Sequence, residues 1–586
     1  MLKQLVHKGV IIPEPPEYRG MVIKIRGKDF KLNPKQEEMA FAWARKQGTP
    51  YVKDLVFIRN FMLDFSKALG VDSPLKIDEV DFTPLINVVE AEKEKKAAMT
   101  KEERKALAAE RKAIREALKE EYGYAIADGE RIELANYLVE PSSIFMGRGK
   151  HPMRGRWKEG AQKSDVTLNL SPDAPRPEGD WKEIVWQPDS LWVARWEDKL
   201  SRKLKYIWLH DSAPIKQARE AQKFDKATEL HEKIETVREH IHSGLVNENL
   251  RRRKIATACY LIDALCLRVG DEKDPDEADT VGATTLRPEH VKLHDDGTAE
   301  FRFLGKDSVL WHKKIDLPDV VQKNLRELME NARPSSNGRN RKKHSIYDKP
   351  QLFPDVTSRN VNAFLSESLK GLTAKVFRTH HATRVVKETL ENSQVVKSDP
   401  EYRKWEAAVK ANLEAAILCN HTKQPPKNWA QRKVKYKERE QRAKDRIATL
   451  KKREKDLVQE LKKLRLEAKE KKAAAATMDK LKKIGLRYKK RIDSKMKRIE
   501  KTKQMQEKAH LSLGKLKVQK AIALQNRTWN LGTSQKSYID PRVYYNWGKK
   551  VDYDVLERYY AKTLRRKFMW VRDGELDKNG EDEAAK

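Results

Sequence analysis

Apolar positions follow the spacing of a coiled coil between residues 430 and 525, inside a segment saturated with Lys, Arg and Glu. They recur at a and d positions in one run, and again in a second run that follows the alanines at 473–476. The two runs contain Ile447, Leu450, Leu457, Leu461 and Leu464, and then Leu481, Tyr488, Ile492 and Ile499. We predict two helices that fold back as an antiparallel coiled-coil hairpin with its turn near 470–478. A single long helix is the alternative.

A strict alternation of apolar and polar residues surrounds Lys306. The alternating positions are Ala299, Phe301, Phe303, Leu310 and His312. Because they flank a short turn that contains Gly305, the pattern predicts a β-hairpin with Lys306 at its tip. Residues 91–121 are instead dense in Ala, Glu and Lys, and Thr100 begins a capping-box pattern. Two helices are expected there.

The other regions differ from these in composition. The chain is mixed up to about residue 90, rich in Pro, Gly and Trp from about 140, mostly helical over 214–429, and compact and aromatic from 526. Residues 145–152 form a basic loop whose glycines let the backbone approach a ligand closely. Since 586 residues are too many for one core, we expect a multidomain α+β fold.

The charge of the chain points to a polyanionic partner. The formal net charge is +35, and the excess of Lys and Arg runs along most of the sequence rather than lying in one tail. Nucleic acid is the first candidate partner, and a solvated surface with excess charge is the alternative.

Several classes of protein are disfavoured. The three cysteines are too few and too widely spaced for a disulfide framework or a zinc site. His290 and His294 have a spacing that suits a metal, but no third ligand is near. The chain has neither an apolar run long enough to span a bilayer nor the apolar core of a signal peptide. We therefore expect a soluble intracellular protein.

Five residues are candidates for chemistry, and each has an ordinary structural explanation when taken alone. Arg268 would lie at the end of a helix that stops at Gly270. Lys306 would be an exposed turn lysine, Arg378 a surface arginine before a helix, and His421 a structural residue at a helix end. Tyr538 lies in a short non-repetitive segment, 531–542, beyond the charged region.

Taken together, the five residues fit phosphoryl transfer to a tyrosine. Arginines and a histidine stabilise the charge on the non-bridging oxygens of the transition state. A lysine can protonate the departing 5′ oxygen. These cations replace the metal ions that many nucleases use.

With these residues identified, the chain resembles eukaryotic-type DNA topoisomerase IB over nearly its whole length, from about His7 to Trp570. Six motifs in the family's order carry the resemblance. They are Leu267-Arg268-Val269-Gly270, Asp279-Thr280-Val281-Gly282, Phe303 to Ser308, Leu372 to Thr379, Ile417 to His421, and Leu531 to Arg542.

The resemblance implies a role for each candidate. Tyr538 would be the nucleophile that forms a 3′-phosphotyrosyl bond, Arg268, Arg378 and His421 would stabilise the transition state, and Lys306 would be the general acid. The implied DNA contacts are Arg148, Lys150, Lys273, Thr280, Asp307, Thr533 and Ser537. No cofactor, ATP or essential metal would be needed, and the protein would be a monomer that acts on double-stranded DNA.

The family fold is a DNA clamp, which implies a mixed cap (1–213), a mostly helical catalytic lobe with a β-hairpin (214–429), the coiled-coil linker (430–525) and a small helical C-terminal domain (526–586).

The family's long basic N-terminal tail is absent, so a compact archaeal relative is the favoured source, and a shortened longer protein is the alternative. The implied location is with chromosomal DNA, in the nucleoid or the nucleus. Ser537 replaces the usual Asn at a position that touches camptothecin-type poisons, so drug sensitivity is open whereas catalysis should survive.

Two other functions remain open from the residues. A tyrosine recombinase would use similar Arg, Lys, His and Tyr chemistry, although the linker and cap argue against it. A non-catalytic architectural DNA-binding protein would share the charge and the salt-sensitive affinity.

Overall fold

The computed structural model describes residues 1–271, 278–334 and 349–572. They form two compact units. Unit 1 contains Met1–Val376 together with the segment that starts at Arg566, and unit 2 contains Phe377–Arg565. Described residues on both sides of unit 2 therefore contribute to unit 1, and unit 2 is an insertion in its sequence.

The first 213 residues of unit 1 alternate between short strands and helices. In chain order the elements are β1 (Leu5–Val6), β2 (Val22–Ile25), β3 (Lys28–Lys31), α1 (Pro34–Ala44), α2 (Leu55–Leu69), β4 (Val80–Asp81), α3 (Thr83–Ala98), α4 (Lys101–Tyr122), β5 (Tyr124–Ala127), β6 (Glu130–Glu133), β7 (Ser143–Ile144), β8 (Trp157–Lys158), β9 (Val166–Asn169), β10 (Glu183–Val185), β11 (Trp192–Glu197) and β12 (Leu204–Trp208).

These strands form small separate sheets. Three are antiparallel, in the orders β1-β5-β6, β3-β2-β4 and β7-β8, and the fourth has the order β10-β9-β11-β12 with β9 and β10 parallel. Two apolar cores support them. One core surrounds β9 and β11, and the other contains Trp43 of α1 stacked on Phe61 of α2 at 4.7 Å between ring centroids. Stacked aromatic pairs of this kind add to the free energy gained by burial.

From residue 214 the chain becomes mostly helical, as its composition predicted. The elements up to the start of unit 2 are α5 (Pro214–Glu232), α6 (Ile234–Leu245), α7 (Leu250–Leu265), β13 (Val291–Leu293), β14 (Thr298–Gly305), β15 (Val309–Asp316), α8 (Asp319–Glu330), α9 (Ser358–Ser368) and α10 (Ala374–Glu391), which belongs to unit 2 from Phe377 onward. Strands β14 and β15 pair from Thr298–Asp316 to Gly305–Val309. The predicted β-hairpin is confirmed, with Lys306 in the turn between its strands.

Unit 2 contains the longest helices. Its elements after α10 are α11 (Glu401–Leu418), α12 (Trp429–Ala473), α13 (Met478–Gln525), α14 (Leu531–Ser537), α15 (Pro541–Val551) and α16 (Val555–Arg558), and α17 (Lys562–Lys567) leads back into unit 1.

Helices α12 and α13 pack against each other over their length, and four residues, 474–477, join them. The a and d positions of α12, from Ile447 to Leu464, are buried although most of the surrounding side chains are exposed. The antiparallel coiled-coil prediction and its turn are thereby confirmed, because the heptad pattern gives each helix one apolar seam that only the partner can cover.

The α+β class is confirmed, and so are the two helices α3 and α4, with Thr100 as the capping residue of α4. The division into four domains remains a prediction. Among the described residues, no helix is long and apolar enough to cross a membrane.

One local prediction is wrong. Helix α7 ends at Leu265, and Cys266 takes the left-handed conformation (φ 53°), so Gly270 is not its stop. Arg268 lies beyond the helix, where its carbonyl oxygen accepts a hydrogen bond from the Ala283 N–H at 2.9 Å. The chain leaves the helix early because residues 268–270 hydrogen-bond with residues 283–284 instead.

Candidate active site

Three predicted site residues of unit 2, Arg378, His421 and Tyr538, come together although 160 residues separate the first from the last. The Arg378 guanidinium carbon lies 5.0 Å from the centroid of the Tyr538 ring. The His421 and Tyr538 rings stack with their centroids 5.4 Å apart. Arg378 Nη2 is 3.3 Å from His421 Nε2 and donates a hydrogen bond to the Cys419 carbonyl at 2.9 Å. Two potentially cationic groups therefore border one phenol.

Arg378 lies in α10 and is 3% exposed. The interpretation of Arg378 as a surface arginine before a helix is therefore wrong. Sequence alone could not show this, because the groups that contact the guanidinium, on Cys419, His421 and Tyr538, lie just after α11 and α14, far along the chain.

The end of α11 directs His421 toward this arginine. Asn420 takes the left-handed conformation (φ 53°), which Asn tolerates better than most residues. The His421 N–H then donates back to the Ala416 carbonyl at 2.8 Å, which closes the helix end as in a Schellman motif. The His421 carbonyl accepts a hydrogen bond from the Asn530 N–H at 2.6 Å, so α14 begins beside the histidine.

Tyr538 follows the last residue of α14 and is 4% exposed. Two of its neighbours were not predicted. Thr383 Oγ1 donates to the Tyr538 carbonyl at 3.2 Å and accepts from the Asp540 N–H at 3.1 Å. Asp540 caps α15, whose first residue is Pro541, so the chain turns sharply after the tyrosine. The Asp-Pro pair is a visible sequence signal for this turn, whereas nothing in the sequence marks Thr383.

Asn412 of α11 is a second residue that sequence reasoning missed. It is fully buried, and it donates to the Leu531 carbonyl at 3.2 Å and to the Tyr559 hydroxyl at 2.8 Å. Its side-chain oxygen accepts from Ser534 Oγ at 2.9 Å. One amide thus ties α14, through Leu531 and Ser534, and also Tyr559 to α11.

In unit 1, the predicted residues Lys306, Thr280, Arg148 and Asp307 line one cavity of about 730 Å³. Arg148 forms an ion pair with Asp307, and both side chains are largely exposed. Gly149 (φ 57°) lies against Ser308, where a Cβ atom would overlap the serine side chain. The glycine-rich loop therefore reaches the tip of the β-hairpin, and its close approach to a ligand stays a prediction.

The other predicted residues have different surroundings. Lys306 and Lys150 are exposed, and Arg268 is half-buried. Thr533 and Ser537 lie in α14 of unit 2 and are half-buried. Lys273 lies outside the described residues, so its assignment stays a prediction.

An ion pair supports the loop that contains Thr280. Arg287 binds Asp279 through two hydrogen bonds of 3.0 Å. Burial acts to raise the pKa of Asp279, but the hydrogen bonds and charge of Arg287 outweigh it and lower that pKa. Burial first, and then the charge of Arg287, lower the pKa of His290 to about 4. His290 is therefore neutral at pH 7.

Comparison with known proteins places this geometry in a family. Residues 2–209 match the model described as "Eukaryotic DNA topoisomerase I, DNA binding fragment", and residues 212–454 match "Eukaryotic DNA topoisomerase I, catalytic core". Residues 507–579 match "C-terminal topoisomerase domain". DNA topoisomerase 1 of Rattus norvegicus is 32% identical over 586 residues, which are 97% of this chain and 70% of the rat protein. The chain belongs to the eukaryotic DNA topoisomerase I family.

Other members of the topoisomerase I family also align with 97% of this chain. DNA topoisomerase 1 of Homo sapiens is 32% identical over 97% of this chain and 71% of the human protein. DNA topoisomerase 1 beta of Arabidopsis thaliana is 33% identical over 97% of this chain, which spans only 58% of the plant protein. The family prediction, and with it the isomerase class of that family, is confirmed.

Proposed function

We propose that the protein is a type IB DNA topoisomerase that relaxes positive and negative supercoils by transient cleavage of one DNA strand. The observation that carries the proposal is the placement of Arg378 and His421 beside the Tyr538 ring. Family membership supports the same reading. Arg268 and Lys306, both in unit 1, would complete the catalytic set.

The proposed cleavage step exchanges one phosphodiester for another. The Tyr538 oxygen forms a bond to phosphorus, the bond from phosphorus to the 5′ oxygen breaks, and the phenolic proton passes to solvent. Lys306 gives a proton to the departing 5′ oxygen. Arg268, Arg378 and His421 stabilise the charge on the non-bridging oxygens. Religation is the reverse reaction, so the bond energy is conserved and no ATP is needed.

Double-stranded DNA is the proposed partner, and the distribution of charge supports it. Helices α12 and α13 contain 34 Lys and Arg against 12 Asp and Glu. The other exposed helix pair, α3 and α4, contains 10 basic and 9 acidic residues. Because only the first pair is strongly basic, we infer that the coiled coil, and not α3 and α4, lies near DNA phosphates.

The proposed oligomeric state, location and metal independence rest on the family resemblance. We propose a monomer that acts on chromosomal DNA without an essential metal, because the Arg, Lys and His side chains supply the positive charge that metals supply in many nucleases. Ser537 replaces the family's usual Asn at a position that touches camptothecin-type poisons, so sensitivity to these poisons stays open.

The deciding experiment replaces the nucleophile. Tyr538→Phe should bind DNA as the wild type does but leave supercoiled plasmid unrelaxed, because the attacking oxygen is missing. Plasmid relaxation is measured in EDTA and without ATP, and covalent protein–DNA adducts are trapped with denaturant and mapped to the modified residue. Tyr545→Phe, a change in the neighbouring helix, is the matched control and should keep wild-type activity.

Relaxation by Tyr538→Phe would contradict the proposal, as would a wild-type protein that binds DNA without forming an adduct. The second result would favour an architectural DNA-binding protein. Strand transfer between two specific sites would favour a recombinase.

A further inference from the structure

Residues 279–285 form a loop that joins the two unit 1 segments proposed to act in catalysis. The Val281 N–H donates to the Leu304 carbonyl at 2.8 Å, two residues before Lys306. The Ala283 N–H donates to the carbonyl of Arg268 itself at 2.9 Å. A displacement of this loop would therefore be transmitted through the backbone to both catalytic candidates.

The loop is packed closely against the arginine segment. A Cβ atom on Gly282 would lie 2.5 Å from the Gly270 Cα atom, so the two backbones pass at the closest approach that glycine permits. Thr284 Oγ1 donates to the Gly270 carbonyl at 2.6 Å. The position of the loop thus leaves little freedom to residues 268–270.

Arg287 holds the start of this loop. Its guanidinium binds both oxygens of Asp279, and its Nε donates to Glu289 at 2.7 Å. Its backbone N–H donates to His290 Nδ1 at 3.1 Å, and the His290 ring lies 5.9 Å from the Phe303 ring of β14. The arginine is 8% exposed, so it is committed to these contacts inside the protein.

We propose that Arg287 is a positioning residue that acts through Asp279 to hold Arg268 and Lys306 in their productive places, an inference that rests on the proposed function. The planar fork of arginine fits a carboxylate in one orientation, so it fixes direction as well as distance. Since a general acid must reach the leaving oxygen within hydrogen-bond distance, a small shift of the hairpin slows cleavage without weakening DNA binding.

The test compares Arg287→Gln with the wild type on two oligonucleotides. One has an ordinary phosphodiester at the cleavage site, and the other has sulfur in place of the bridging 5′ oxygen. A thiolate leaves without protonation, so cleavage of the sulfur substrate does not need the general acid. Single-turnover cleavage rates are measured on both, DNA affinity is measured in the Tyr538→Phe background, and thermal unfolding is followed separately.

We expect Arg287→Gln to slow cleavage of the ordinary substrate about 100-fold and to slow cleavage of the sulfur substrate at least about fivefold less, with DNA affinity within about threefold of wild type. The matched control is Arg253→Gln, which breaks another two-bond pair in unit 1, between Arg253 and Glu327, away from the loop. It should leave both cleavage rates within about twofold of wild type.

Equal slowing on both substrates would overturn the proposed positioning of Lys306, because the loss would not pass through the general acid. An unchanged rate, or the same loss in Arg253→Gln, would also overturn it. If Arg287→Gln does not fold, Arg287→Lys, which keeps the charge but loses the fork, is compared in the same way. If the wild type forms no adduct on either substrate, the proposed function fails rather than the positioning role.

Discussion

The two groups of proposed catalytic residues are held in opposite ways. Arg378, His421 and Tyr538 of unit 2 are each less than 10% exposed and contact one another. Lys306 of unit 1 is exposed at a hairpin tip, and Arg268 is half-buried and held through its backbone. Removing a side chain of the first group should therefore impair both cleavage and stability. A side chain of the second group can be removed while the fold stays intact.

The largest expected effect tests this difference directly. Lys306→Ala should slow strand cleavage by about 10²–10⁴-fold, the usual contribution of a general acid, and leave the unfolding temperature unchanged. Arg378→Ala should slow cleavage to a similar or greater extent and also lower the unfolding temperature, because it leaves a cavity and removes the hydrogen bond to Cys419. Cleavage of a labelled oligonucleotide and calorimetry measure the two quantities.

Lys150→Ala is the control for removing an exposed lysine of unit 1, and its unfolding temperature should also be unchanged. A marked loss of stability in Lys306→Ala, or none in Arg378→Ala, would show that burial does not separate the two groups.

Asn412 sharpens the comparison within unit 2. Asn412→Ala removes three hydrogen bonds of a fully buried amide, whose partners are buried or half-buried, so the free energy of unfolding should fall by about 3 kcal/mol. Cleavage should slow as well, because the bonds hold the segment that carries Tyr538. Urea unfolding measures the first effect, with Asn331→Ala as a control, since Asn331 is exposed and bonds only within its own helix end. Similar unfolding midpoints for the two variants would contradict this role.

The smallest expected effect concerns pH and unit 1. His290 has a pKa of about 4, below its ordinary 6.5, and it faces Arg287, Glu289, Asp279 and Lys349. A histidine that is neutral in the fold contributes stability above pH 6.5, and that contribution is lost as the pH falls toward 4. Between pH 7.5 and 5, the wild type should lose about 2 kcal/mol more free energy of unfolding than His290→Gln.

His242→Gln, which removes an exposed histidine in the last turn of α6, should follow the wild-type pH profile instead. Chemical denaturation at several pH values measures all three proteins. If the free energy of unfolding depends on pH in the same way in the wild type and in His290→Gln, the lowered pKa of His290 does not contribute to stability.

Sequence patterns predicted those features that depend on neighbours in the chain. The a and d positions from Ile447 to Leu464 predicted the coiled coil, and the alternation around Lys306 predicted its hairpin. The end of α7 was mispredicted because Gly270 is a familiar stop signal, whereas the helix ends at a left-handed Cys266. Conformation there is decided by hydrogen bonds to residues 283–284, which local sequence does not reveal.

The candidate site shows the same limit. The five chemical residues could be named because their types and order match a family. Their supports could not, since Thr383, Asn412 and Arg287 act through partners that only the fold brings near. Threonine, asparagine and arginine occur at many surface positions, and no spacing distinguishes these three from the rest.

The return of the C-terminal segment to unit 1 has a consequence for synthesis on the ribosome. Arg566 pairs with Glu133, and Phe568 is fully buried and lies beside Phe224, so residues made after unit 2 complete a unit that was begun before it. Before they emerge, the ribosome must add the whole of Phe377–Arg565, which takes about 10–40 s at typical rates of synthesis. During that interval the acidic and aromatic surfaces that await the terminus are uncovered, and a chaperone has its opportunity to bind them.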